Sequence, residues 1–257
     1  RELSGGVANL PWQPSIDGQL LCEQPLQTIR TSEKTPVPVL IGSNQDEWAL
    51  FMAPDSRGRK LDEAGLERRF LRVLASNGID PNLLDRFRET YDESLGAPRH
   101  RWSQFMSDMV FHAPAGILAD TLSRAGGDVY FYRFDGQLPL VGPYTGSFHG
   151  LDIPFVFGTV RKGPLAATMG WSSDVRTLSR RMQKSWVRFA HGEPPGEEGL
   201  PAWPKWTPVS RQALRLAAKP GVLEDPHAKA RRLWNPLLAP APVLTAIETQ
   251  ASRVARE

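Results

Sequence analysis

The sequence predicts an α/β fold in which long helical stretches separate the strands. Three observations carry that expectation. Two short β-branched or aromatic runs end in turn residues, a helical period fills the stretch between them, and an amphipathic segment of about five turns follows downstream.

The first run is VPVLIGSN (37–44), apolar and then Gly-Ser-Asn, the pattern of a buried strand entering a loop. From Leu61 to Ser94 the spacing turns helical: Leu61, Leu66, Phe70, Leu71 and Leu74 recur with charges between them. NGIDPNLLDRFRETY then gives a turn, a Pro near a helix start, and Leu83, Leu84, Phe87 and Tyr91 on one side. A further helix is expected across 102–124, carrying Phe105, Met109, Ile117 and Leu118, with a kink at Pro114.

GGDVYFYRFD (126–135) is the second strand, following a Gly-Gly stop. Residues 174–191 form the amphipathic helix, with Leu178, Met182, Trp186 and Phe189 as its stripe and Gly192 and Pro194-Pro195 as its end. RQALRLA (211–217) suits a strand and 227–238 a closing helix, and the Pro- and Ala-rich residues 238–257 read as a peripheral tail.

Composition narrows the function. The 257 residues are 40% hydrophobic and 23% charged, enough for a real core and unlike a disordered chain. The net charge of +3 is not gathered into a block; Arg68-Arg69, Arg180-Arg181 and Arg231-Arg232 suit solvated helix faces, so no nucleic-acid partner is expected. One cysteine, Cys22, forbids an internal disulfide and a Cys-based metal site, and the five histidines carry no zincin spacing, so no metal or cofactor is expected. No apolar run reaches the roughly 18 residues of a membrane span. The opening RELSGGVANLPWQP lacks the n- and h-regions of a signal peptide and reads as a cut into a longer chain. A single cysteine fits a cytoplasmic location, although a disulfide-free secreted bacterial enzyme would look the same.

Two stretches carry chemistry. SNQDEWALF (43–51) delivers Asp46-Glu47 into the loop after the first strand, and GSFHGLDIPFVFG (146–158) sets His149 among small residues after the second. Functional groups of open α/β sheets collect at the carboxyl ends of strands. An acid and then a histidine, each after a strand, are the second and third members of the hydrolase order Ser…Asp/Glu…His. A strand-end Glu is also commonly a solvated charge, and a His beside Gly a turn residue.

The chain resembles the C-terminal half of a type-B carboxylesterase, the cholinesterase-like branch of the α/β-hydrolases. The resemblance rests on PSIDGQLL followed by VPVLIGSNQDEWALF, MSDMVFHAPA (106–115), VYFYRFD, GSFHGLDIPFVFG, WVRFAHGEPP and WPKWTP (203–208), in that order, from about Pro11 to Pro236. It implies the C-terminal part of one α/β-hydrolase domain spanning 1–257, with a mixed, mostly parallel sheet and a helical insertion at 61–125. It also implies that Glu47 is the acid and His149 the general base of a serine esterase. The small neighbours Gly146, Ser147 and Gly150 would let the histidine loop bend, and Phe155, Val156 and Phe157 would anchor it.

No Gly-x-Ser-x-Gly elbow is present. The nearest miss, DESLG around Ser94, follows the acid and sits at a helix end. The nucleophile and oxyanion donors are therefore expected from an N-terminal half of the same enzyme, and this chain alone is expected to be inactive. A non-catalytic cholinesterase-like scaffold and an inactive truncated fragment are the alternatives. Trp48 stands where the family usually has Gly, and Asp152 where it usually has Glu. The aromatics Trp48, Phe51, Phe148 and Phe155 suit a small-molecule ester with an apolar acyl or alcohol group, and the same residues would serve as core.

Overall fold

In the computed structural model, residues 15–33, 35–52, 55, 58–137, 146–160 and 172–238 are described. The first strand, β1 (Val39–Asn44), follows a short helix α1 (Pro25–Thr31). Gly42 sits where a Cβ would run into the backbone and ring of Tyr132, so the close strand approach requires a residue without a side chain.

The segment that follows is helical: α2 (Ala49–Met52), α3 (Glu63–Ser76), α4 (Leu84–Thr90), α5 (Pro98–Ser107) and α6 (Ala113–Arg124). Asp62 caps α3 by accepting the Gly65 N–H at 2.7 Å. Just before Pro114, where a kink is expected, the helical run changes pitch. Residues Asp108–His112 make a π turn in which the Ala113 N–H reaches back to the Asp108 carbonyl. Proline has no N–H to give and its ring crowds the preceding turn, and the wider π geometry accommodates both. The helix also begins earlier than expected, at Pro98, whose fixed φ suits a first helical position.

The second strand β2 (Val129–Phe134) pairs in parallel with β1, Val39 opposite Val129 through Asn44 opposite Phe134. A four-residue helix α7 (Ile153–Val156) follows the histidine loop, then α8 (Ser173–Ala190), capped by Ser172. β3 (Gln212–Leu216) adds in parallel to β2, and β4 (Gly221–Glu224) turns back antiparallel to β3. The sheet order is β1-β2-β3-β4, mixed and mostly parallel as expected. The chain of described residues closes with α9 (Ala228–Leu238). The tail beyond it lies outside the described residues.

Strand β2 organises two of three apolar clusters through its period of two. Tyr130 and Phe134 face a cluster with Phe148, Leu151, Phe155, Leu178, Met182, Leu214 and Leu216. Val129 and Phe131 face another with Ala119, Leu122, Trp206 and Ala213. The third cluster lies among the helices and is aromatic: Phe70, Phe87, Tyr91, Trp102, Phe105 and Trp234. Phe105 stacks on Trp102 at 5.3 Å and meets Trp234 edge-on at 5.2 Å. The segment around 203–206 is pinned to β2 by Trp203 Nε1, which donates to the Phe131 carbonyl, and by the Trp206 N–H, which donates to that of Val129.

Candidate functional site

The carboxyl ends of β1 and β2 lie side by side, so the loops leaving them meet. They are sewn together at several points. The Asp46 N–H donates to the Ser147 carbonyl at 3.0 Å, and the Asp46 carboxylate accepts the Ser147 N–H at 2.8 Å. Gly146 has φ +57°, and a Cβ there would fall on the Asp46 carboxylate, so the turn and the close approach both demand glycine. The Ser147 hydroxyl donates to the Gly136 carbonyl.

The two singled-out residues converge. His149 Nδ1 stands 2.7 Å from Glu47 Oε2, and the His149 backbone N–H donates to the Glu47 carbonyl at 3.2 Å. The Glu47 side chain is 6% exposed and that of His149 46% exposed. The second carboxylate oxygen, Oε1, accepts the Asn44 N–H at 2.7 Å. Among the described residues nothing bonds His149 Nε2. A carboxylate held this way fixes the ring's orientation and favours the tautomer with hydrogen on Nδ1, which leaves Nε2 as a proton acceptor.

Two aromatic rings flank the imidazole: Phe111 at 4.8 Å and Phe51 at 5.6 Å between centroids. Trp48 packs at a tilt against Phe51, with ring centroids 4.7 Å apart, and also on the helical aromatic cluster, and its backbone N–H donates to Ser107 Oγ. Phe148 and Phe155 are core residues. The expectation that Phe157 helps anchor the loop is corrected: it is 73% exposed. The short helix α7 turns Phe155 inward and leaves Ile153 and Phe157, four residues apart, on one outward face.

Asp152 has two partners despite its short reach, accepting from Tyr132 OH at 3.0 Å and from Asn44 Nδ2 at 3.3 Å. Burial and the neighbouring Asp152 charge push the Tyr132 hydroxyl far above its ordinary range, so it stays a donor. Ser94 lies in a short 3-10 turn, its hydroxyl on Asp92.

Sequence reasoning missed the residue at the hub. Asn44 gives its N–H to Glu47, and its carboxamide donates to the Phe148 carbonyl at 2.7 Å, so one side chain ties the acid loop to the histidine loop. It also missed Asp108 and His112, whose i,i+4 spacing on a helical stretch was a legible signal. With His227 these place three ligating side chains within 4.8 Å. Asp108 and His112 spend their polar atoms on hydrogen bonds, and the His112 and His227 rings stack face to face at 3.9 Å. Stacked rings send their in-plane lone pairs along parallel lines, so Asp108 and His112 form a hydrogen-bonded pair with the His227 ring laid against it, and the three do not converge on a cation.

This half-sheet, with an acid and an imidazole paired at its strand ends, is that of an α/β-hydrolase. The chain belongs to the carboxylesterase family, whose profile it matches over residues 2–234. It is 31% identical to the para-nitrobenzyl esterase of Bacillus subtilis over 232 residues, covering 90% of this chain and 44% of that protein. It is 29% identical to the human cocaine esterase over 235 residues, covering 87% of this chain and 41% of that protein. Among solved structures it superposes on a carboxylesterase of Geobacillus stearothermophilus with TM-score 0.72 and 29% identity, covering 87% of this chain and 45% of that one. The chain thus spans less than half the length of these relatives. No helix among the described residues is long and apolar enough to cross a membrane.

Proposed function

We propose that this chain supplies the acid and the base of a serine carboxylesterase whose nucleophile and oxyanion donors come from an N-terminal half of the same enzyme. The observation that carries the reading is the 2.7 Å contact between a buried Glu47 and a half-exposed His149 on neighbouring strand-end loops. The fold, the family and the names of the relatives support the reaction class.

In this reading a serine hydroxyl approaches His149 Nε2, which takes its proton as the oxygen attacks the ester carbonyl. Glu47, already bonded to Nδ1, stabilises the imidazolium that forms. The protonated ring then passes its proton to the departing alcohol, and a water repeats the sequence on the acyl-enzyme. Phe51 and Phe111 beside the ring suit an ester with an apolar acyl or alcohol group. β1 pairs only with β2 among the described residues, and its second edge offers a parallel register for a strand of the other half.

Residues 1–257 act here as one part of one α/β-hydrolase domain, with 61–125 as its helical insertion. Alone the chain turns over no ester, because oxyanion donors are commonly the largest single catalytic contribution. A cytoplasmic setting fits the lone, exposed Cys22 thiol. The scaffold and inactive-fragment alternatives leave the Glu47–His149 contact without a role. The test is to reconstitute the chain with the N-terminal half of the Bacillus subtilis relative and assay a p-nitrophenyl ester. Turnover lost on His149→Ala is expected; turnover insensitive to it overturns the reading.

A further inference from the structure

A second carboxylate–imidazole pair lies directly behind the acid loop, and the esterase reading leaves it unused. His112 Nδ1 is 2.7 Å from Asp108 Oδ1, and its Nε2 is 2.9 Å from the Asn44 backbone carbonyl. The His112 side chain is 1% exposed, so water does not serve it.

The proton positions follow from counting donors. Trp234 Nε1 can only donate, and it does so to Tyr91 OH at 2.6 Å; the Tyr91 proton therefore points to Asp108 Oδ2 at 3.0 Å. Gln104 Nε2 donates to Asp108 Oδ1 at 2.9 Å. Asp108 thus accepts from two neighbours besides the histidine, and its Oδ1 faces the ring as an acceptor. A carbonyl oxygen can only accept. Both ring nitrogens of His112 thus face acceptors, and a neutral imidazole, with one N–H, satisfies only one of them. The imidazolium satisfies both.

We propose that His112 is held as a buried imidazolium and serves as a positioning residue for Glu47, acting through the Asn44 backbone. Its functional sense rests on the esterase reading above. Asn44 donates its N–H to Glu47, ties Phe148 with its carboxamide and presents its carbonyl to His112. Fixing that carbonyl fixes the turn from which the acid hangs.

The groups around His112 agree with this. Burial works against its charge. The hydrogen bond and charge of Asp108, the Asn44 carbonyl and the Glu47 charge outweigh that, and its pKa lies above the ordinary histidine value. His227, from the turn before α9, is driven well below that value by burial, by the His112 charge and by Arg133 of β2, so a neutral ring lies flat on a cationic one. Tyr91, at the end of α4, is held neutral by its own burial.

The test is NMR on this chain with 15N-labelled histidine. At pH 8 we expect both His112 ring nitrogens to carry protons and His227 to carry one; an unprotonated nitrogen on His112 overturns the proposal. In His112→Gln we expect the His149 Nδ1 proton to exchange with solvent at least about tenfold faster, with α3 and α5 amides unchanged. In His227→Phe, which keeps a ring on the stack, that proton should exchange within about twofold of the parent rate. Unchanged exchange in His112→Gln overturns the positioning role. The parent measurement needs no variant, so it decides the charge state even if His112→Gln does not fold. Neither readout involves turnover, so a reconstituted complex without esterase activity bears on the functional reading alone.

Discussion

Two carboxylate–imidazole pairs of equal length sit on either side of one loop, and they differ in what the second ring nitrogen meets. In both, Nδ1 lies 2.7 Å from a carboxylate oxygen. The Asp108–His112 pair is sealed, its Nε2 committed to a backbone carbonyl. The Glu47–His149 pair keeps a half-exposed ring whose Nε2 is unbonded among the described residues. Bond length does not distinguish the two pairs, and on the proposed reading it does not tell a structural pair from a reactive one. The partner of the second nitrogen and access to that atom do.

The comparison breaks most sharply on turnover. In the reconstituted enzyme, His149→Ala should lower kcat by about 10⁶-fold and Glu47→Gln by about 10⁴-fold, judged from comparable triads. Steady-state kinetics checks both, and Glu47→Gln should leave the melting temperature of the chain nearly unchanged. Asp108→Asn should do the reverse on the fold, leaving the His112 charge buried without its partner. A cost of about 3–5 kcal/mol is expected in denaturant unfolding of the chain.

The pH dependence sharpens the contrast within the sealed pair. His112 has a raised native pKa, so its contribution to stability is complete below the unfolded value of about 6.5 and is lost as pH rises through the native one. His227 has a depressed native pKa, so its contribution is present above about 6.5 and is lost as pH falls through the native one. Melting temperatures measured from pH 5 to 9 should therefore fall on both sides. The acid-side fall should shrink in His227→Phe and the alkaline-side fall in His112→Gln. Smallest is Tyr132→Phe, which removes the bond to Asp152; about 1 kcal/mol is expected in the same unfolding experiment.

Much of this was legible in the sequence where a period or a punctuating residue existed. β1 and β2 were readable from their apolar runs, and α8 from Leu178, Met182 and its Gly192 stop. Helix α1 was not, because none of its residues is buried and no stripe marks it. The four-residue β4 alternates half-buried with exposed positions and is equally silent. At the site, Glu47 and His149 were singled out by their place after strands and by the resemblance of their loops, and the structure brings the two side chains into contact. Asn44 was not, since its role comes from backbone and carboxamide bonds that span 104 residues. His112 was visible as a neighbour of Asp108 at helical spacing, but its bond to the Asn44 carbonyl depends on how the π turn packs against β1.

Trapping the acyl-enzyme of a reconstituted complex and locating the acyl group by mass spectrometry tests the central claim most directly. The account predicts the acyl group on a serine of the supplied N-terminal half, none on residues 1–257, and no trapped species with His149→Ala. An acyl group on Ser94 or any other residue of this chain, or trapping that persists without His149, would contradict it.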